Sequence, residues 1–110
     1  MNVQQVSTQN FKGLDFSRVA HADRSLVYQC RKELETIGKT YDIRISSFPD
    51  YMGDFKPMME VMVKEKSEGK NWFQRLRRKS AFTQFSPHGA DVLEQTRRAV
   101  IMLRAKILNK

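Results

Sequence analysis

The residues best suited to chemistry in this sequence are the cations and aromatic rings between positions 66 and 79. This basic segment, KSEGKNWFQRLRRK, has a net charge of +5 in fourteen residues and also contains Trp72 and Phe73. Guanidinium groups bind phosphates through paired hydrogen bonds, and aromatic rings stack on unpaired bases for about 1–3 kcal/mol each. The combination favours binding of nucleic acid, above all single-stranded nucleic acid.

The same composition suits other partners. Trp, Phe and Leu side chains enter the membrane interface, where acidic lipids attract cations, and a basic surface also attracts an acidic protein. In a purely structural alternative, Trp72, Phe73 and Leu76 pack under the sheet and leave the cations as a solvated rim, because aromatic residues of small domains are usually buried. We expect the basic segment to be mostly exposed, since unpaired cations are costly to bury.

Further cations lie in the C-terminal segment HGADVLEQTRRAVIMLRAKILNK. At 100° per residue, Arg97 and Arg104 fall together beside the apolar face of a predicted helix, with Arg98 further round. Cations near a helix C-terminus also complement the macrodipole, which is their structural explanation. The predicted anion-binding or nucleic-acid-binding residues are Lys70, Trp72, Phe73, Arg75, Arg77, Arg78, Lys79, Arg97, Arg98 and Arg104.

A protein-interaction module, with self-association as a homodimer among its forms, is the alternative function. One candidate surface is the aromatic connection FPDYMGDFKP between two predicted strands, and the other is the edge of the C-terminal helix. Apolar residues outside the main stripe of a helix are either additional core or part of an interface. The residues of this alternative are Phe48, Tyr51, Met52, Phe55, Ile101 and Leu108.

Residue types for catalysis or metal binding are sparse. His21 and His88 have no second His, Cys or carboxylate at a metal-ligand spacing, and Cys30 falls on a predicted apolar stripe where an inert thiol is expected. The five glycines form no phosphate-binding loop, and no G-x-S-x-G motif occurs. We therefore expect a binding module without catalytic activity, metal site or small-molecule cofactor.

Length and charge limit the organisation of the chain. At 110 residues it has the size of one domain, expected over 11–110 after a flexible polar tail at 1–10. Residues 1–65 contain nine basic and nine acidic side chains, whereas residues 66–110 contain eleven and three, so the net charge of +8 arises in the C-terminal part. Without a recognisable signal sequence or apolar membrane span, the expected location is cytoplasmic, although export without a signal stays open.

Apolar periodicity predicts the elements that carry these residues. Helical spacing in LDFSRVAHADRSLVYQCRKELETIGKT predicts a first helix with Asp15, Ser17 or Asp23 as N-cap and with Gly38 in the left-handed conformation after its end. TYDIRISSF and PMMEVMVKEK alternate as the strands of an antiparallel hairpin, and SAFTQFS supplies a third strand. The C-terminal segment is the second helix.

These elements predict an α+β fold of order α-β-β-β-α, with an antiparallel three-stranded sheet and both helices packed on one face. Met62 is the exception to the alternation of its strand, because it falls on the outward row. The predicted core is Val27, Leu34, Ile43, Ile45, Val61, Val63, Leu93, Val100 and Leu103.

Overall fold

The computed structural model describes residues 13–49, 57–66, 78–89 and 91–108. Within them, three α-helices pack against a four-stranded mixed sheet whose strand order is β1-β2-β3-β4. The elements are β1 (Leu14–Arg18), a 3-10 turn (His21–Asp23), α1 (Arg24–Tyr28), α2 (Arg31–Gly38), β2 (Tyr41–Pro49), β3 (Pro57–Glu65), β4 (Ser80–Phe85) and α3 (Val92–Leu108).

The predicted hairpin is confirmed as the centre of the sheet. Strands β2 and β3 pair antiparallel from Tyr41 opposite Glu65 to Pro49 opposite Pro57. Ile43 and Ile45 lie opposite Val63 and Val61, and all four side chains are fully buried. Because side chains alternate along a strand, the intervening residues form the row on the other face of the sheet.

The segment predicted as one long first helix is divided into four elements. Its first residues form β1, which pairs in parallel with β2, with Leu14 opposite Ile43 and Asp15 opposite Arg44. The remainder forms the 3-10 turn, α1 and α2, with a break at Gln29 and Cys30. The prediction was wrong here because the free edge of β2 offers backbone hydrogen bonds to LDFSR, and such a distant partner is invisible to local periodicity.

Glycine conformations also differ from the expectation. Gly38 is the last residue of α2 and packs against the backbone of Gly13, whereas the left-handed conformation occurs at Gly13 with a φ of 66°. Within the described residues, Gly13 is the only glycine with a positive φ. It lies where the chain enters β1, and its carbonyl accepts a hydrogen bond of 2.6 Å from Ile43 N–H.

The third strand and the last helix occur where they were predicted. β4 pairs antiparallel with β3, with Val63 opposite Ala81 and Met59 opposite Phe85. The sheet therefore has one more strand than expected and a parallel pair at one edge. α3 packs across β3 and β4 and also contacts α2, so these two helices cover the same face of the sheet.

The core lies between this face and the two helices. Seven of the nine predicted core residues are buried, while Leu93 and Val100 are half-buried and pack against the cluster. Further buried members come from every layer, which makes one continuous core. They are Val19, Cys30, Met59, Ala81, Phe85, Val92 and Ala99.

No helix in the described part of the chain is both long and apolar enough to cross a membrane.

Candidate anion-binding end of the domain

The strand register places both ends of the basic segment at one end of the sheet. Tyr41 at the start of β2 lies opposite Glu65 at the end of β3, and Lys64 lies opposite Ser80 at the start of β4. Lys66 follows β3 directly, and Arg78 and Lys79 directly precede β4. The intervening residues 67–77 lie outside the described residues, and with them the predicted site residues Lys70, Trp72, Phe73, Arg75 and Arg77.

A buried carboxylate holds these two ends together. Asp42 is only 1% exposed, and its carboxylate lies 3.2 Å from Lys66 Nζ and 3.3 Å from Arg78 Nη1. It also accepts a 2.9 Å hydrogen bond from Gly13 N–H. Arg78 Nη1 donates a second hydrogen bond to the carbonyl of Glu65 at 3.2 Å. Asp42 therefore joins the entry to β1, the start of β2 and both ends of the basic segment.

The sequence interpretation missed this role of Asp42. It gave Asp42 no role and placed Arg78 among the anion-binding residues. The Arg78 side chain is 11% exposed and its guanidinium already has a carboxylate partner, so it has a structural contact that the sequence did not indicate. The available signal was a single acidic residue near the start of a predicted strand, and it is weak because the basic segment begins 24 positions later in the sequence.

Lys79 and Lys106 form a second arrangement at this end. Lys79 Nζ donates to the carbonyl of Lys106, and Lys106 Nζ donates to the carbonyl of Ser80, each at 2.8 Å. These bonds join the start of β4 to the last turn of α3, whose final carbonyls have no partner within the helix. Among the residues that the structure describes, neither ammonium group has a carboxylate partner. Two cations therefore lie side by side, with Lys79 half-buried and Lys106 exposed.

Other elements bring more cations to the same place. Lys39 follows the end of α2 two residues before Tyr41, and Lys64 lies beside Asp42 across the β2–β3 pair. Burial lowers the pKa of Lys64, and the neighbouring guanidinium groups of Arg78 and Arg44 lower it further. We call this end of the sheet the basic end. It contains two carboxylates, Asp42 and Glu65, and six cations, Lys39, Lys64, Lys66, Arg78, Lys79 and Lys106.

The three predicted arginines of α3 lie elsewhere on that helix. Arg98 Nη2 is 3.0 Å from the carboxylate of Glu94, and both side chains are exposed. Arg97 and Arg104 lie on the flank that faces α2, where Arg104 Nε donates to the Tyr41 hydroxyl at 3.1 Å. Residues two positions apart in an α-helix project about 200° from each other. Arg104 and Lys106 therefore point to opposite flanks of α3. The structure therefore separates Arg97 and Arg104 from the basic end.

The residues of the alternative interaction surface are also spread out. Phe48 is half-buried at the end of β2, while Tyr51, Met52 and Phe55 lie outside the described residues. Ile101 and Leu108 are 65% and 81% exposed on α3. Exposure of two large apolar side chains on the same helix edge agrees with their predicted position outside the apolar stripe.

The residues considered for catalysis form no cluster in the part of the chain that is described. His21 and His88 are both exposed, at separate places in the 3-10 turn and before α3. Cys30 is buried, and burial raises the pKa of its thiol, as do the carboxylates of Asp91 and Glu33. No group of three His, Cys, Asp or Glu side chains that could hold a metal ion occurs among the described residues.

No protein-family model matches the chain, and neither a curated protein nor a solved structure matches it.

Proposed function

We propose that this protein is a binding module that engages nucleic acid at the basic end, mainly through phosphate groups. The observation that carries the proposal is the pair Lys79 and Lys106, whose ammonium groups are bonded to backbone carbonyls and not to carboxylates. Such cations keep their full charge available to a ligand. Phosphate oxygens can take up the remaining donors of each ammonium group.

The ion pairs of the described residues involve five other cations. In each of them a carboxylate of the same chain already neutralises the cation, which lowers the attraction to an external anion. These cations are Arg31, Arg44, Lys66, Arg78 and Arg98. Lys79 and Lys106 therefore supply positive charge without a carboxylate partner at the C-terminal end of the basic segment.

The basic segment adds the reason to prefer nucleic acid over other anions. Its sequence provides Trp72 and Phe73 between the cations, and aromatic rings that stack on bases suit a single strand. An acidic membrane surface and an acidic protein remain the alternatives, because the charge itself does not discriminate among them. They become outcomes of the binding experiment.

The test is a salt titration of binding to a fluorescent single-stranded oligonucleotide. Each phosphate contact contributes about −0.7 to the log–log salt slope for single strands, so losing two contacts in Lys79→Gln/Lys106→Gln should make the slope less negative by about 1.4. The matched control is Arg31→Gln/Lys32→Gln, which removes the same charge from the first turn of α2. The control should keep the wild-type slope.

Equal slopes for the two double variants would mean that the oligonucleotide responds only to net charge and would reject the site. Vesicles containing acidic lipid are titrated in parallel. Binding to vesicles without binding to the oligonucleotide would support the membrane alternative, with Trp72 fluorescence as the readout of insertion. Absence of binding to both at low salt would leave the protein-interaction alternative.

A further inference from the structure

The geometry points to a second binding site in the groove between α2 and α3, which takes an acidic peptide segment of another protein with an apolar side chain at its centre. The groove lies on the flank of α3 opposite Lys106, and none of the six cations of the basic end lines it. Its volume is about 450 Å³. Its lining residues are Thr36, Ile37, Thr40, Tyr41, Arg97, Val100, Ile101 and Arg104.

The floor of the groove is apolar. Ile37 of α2 and Val100 of α3 are half-buried and pack against the core, so their outer surfaces face the groove. Ile101 forms one side and is 65% exposed. A Leu or Phe side chain placed on this floor would cover apolar surface that water now covers, which stabilises a complex.

The rim of the groove is polar and positively charged. Arg97 and Arg104 lie along its α3 side, while Thr36 and Thr40 lie on its α2 side. Among the described residues Arg97 has no carboxylate partner, and the hydrogen bond of Arg104 goes to the neutral hydroxyl of Tyr41. Guanidinium groups pair with carboxylates through parallel hydrogen bonds. Charge complementarity therefore calls for carboxylates on both sides of the apolar side chain.

Charge also argues against two occupants from the same protein, a second copy of α3 and the N-terminal residues 1–12. In an antiparallel contact between two copies of α3, the arginines at 97 and 104 of both helices would come together without an acidic residue between them, since Arg97, Ile101, Arg104 and Leu108 follow one another along the same helix edge. Residues 1–12, which precede β1, contain neither Asp nor Glu. An acidic segment from another protein satisfies both the floor and the rim.

Nucleic acid fits this groove less well than a peptide does. Phosphates bound at the two arginines would leave the apolar floor and Ile101 exposed to water. If nucleic acid did cover this floor, its polar groups would lose hydrogen bonds to water, which costs free energy. An acidic peptide satisfies both surfaces together. Nucleic acid is nevertheless a competitor in the experiment, because Arg97 and Arg104 are cations.

The probe is a fluorescein-labelled peptide with Leu and Phe between runs of Glu, measured by anisotropy with the full-length protein. Wild type should bind it saturably, and Arg97→Gln/Arg104→Gln should weaken binding about tenfold, the expected loss for two exposed ion pairs. Ile101→Ser should weaken binding through the apolar contact alone and leave the salt dependence unchanged. All three positions are exposed, so the variants should keep the fold.

Two controls separate this site from the proposed nucleic-acid site. Lys79→Gln/Lys106→Gln should retain peptide binding, and a peptide with Ser in place of Leu and Phe should bind weakly to wild type. Backbone amide shifts at Thr40 and Val100 should move on addition of the peptide. The inference is overturned if wild type does not bind the peptide at low salt, if Ile101→Ser binds it as wild type does, or if the oligonucleotide displaces it and the Lys79/Lys106 variant loses it.

Discussion

The carboxylate of Asp42 lies 3.3 Å from the guanidinium of Arg78, although 36 residues separate them in the chain. Lys66 reaches the same carboxylate from the other end of the basic segment, at 3.2 Å. One buried acid therefore anchors the two ends of the most basic stretch of the protein. The function proposed for that stretch depends on a fold in which its two chain ends are held at the same end of the sheet.

Replacement of Asp42 should show the strength of this anchor. Asp42→Asn keeps the shape of the side chain but leaves Lys66 and Arg78 without a counter-charge, so we expect the free energy of unfolding to fall by about 3–5 kcal/mol. Urea denaturation measures it. The control is Glu35→Gln in the exposed pair with Arg31, where the change should stay below about 1 kcal/mol. Similar values for both variants would contradict the structural role of Asp42.

Adjacent residues of α3 provide a test of the core. Leu103 is fully buried, and Leu103→Ala should lower the free energy of unfolding by about 2–5 kcal/mol because it removes apolar contacts and leaves a cavity. Met102 is 43% exposed, and Met102→Ala should change the free energy of unfolding by no more than about 0.5 kcal/mol. Thermal or urea unfolding of the two variants tests whether the face of α3 that contains Leu103 packs against the sheet. The reverse order of stabilities would reject that face.

Even the smallest side chain at position 13 should lower the stability of the protein. Its φ of 66° lies in the left-handed region, which costs an L-residue about 1–2 kcal/mol, so Gly13→Ala should destabilise the protein by that amount. A Cβ atom at Gly13 would meet nothing within 4 Å, and the same is true at Gly89, which lacks a positive φ. Gly89→Ala therefore serves as the control and should be neutral. An equal loss at both positions would show that conformation is not the cause.

We expect the Cys30 thiol to make the free energy of unfolding depend on pH in the alkaline range. Its pKa is raised above the ordinary value of 9.0, chiefly by burial, so the folded state holds the proton more tightly than the unfolded state does. This contribution is fully present below pH 9.0 and is lost as the pH rises from there through the higher folded-state pKa. Comparison of wild type with Cys30→Ala cancels the other titrating groups. The stability difference between them should shrink above pH 9.0, and a constant difference would contradict the shift.

The cations inside the basic segment can now be tested apart from its anchor. Arg75→Gln/Arg77→Gln should make the salt slope for the oligonucleotide less negative by about 1.4, at about 0.7 per contact. Arg78 is left intact because its loss would disturb Asp42. Trp72→Ala should weaken binding by about 1–3 kcal/mol with little change in slope if the ring stacks on a base. A Trp72→Ala variant that binds as wild type does would remove stacking from the proposal.

Local patterns were sufficient for the centre of the fold. Met59, Val61 and Val63 recur at every second position, and this period of two predicted both their strand and the face that is buried, although Met62 lies between them. The apolar face of α3 followed in the same way from its helical period, which placed Ile101 and Leu108 outside the main stripe but left open whether they belong to the core. These features depend on residues a few positions apart, so the sequence contains the whole signal.

For the candidate site, the sequence predicted the residue types and not their partners. The excess of cations after position 65 was visible, but the distinction between Arg78, which a carboxylate neutralises, and Lys79, which none does, was not. That distinction requires the strand register that brings Asp42 next to the end of β3. Likewise, Lys106 was not among the predicted site residues because its neighbour Lys79 is 27 positions away.

By itself, the sequence determined the α+β class, the hairpin, the last helix and the concentration of positive charge in the C-terminal part. The tertiary structure alone decided that LDFSR is a parallel edge strand, that Asp42 is a buried anchor, and that the cations of α3 divide between two flanks. The physical reason is the range of the interactions: periodicity records which side of an element is apolar, whereas strand pairing and ion pairs join groups that are distant in the chain.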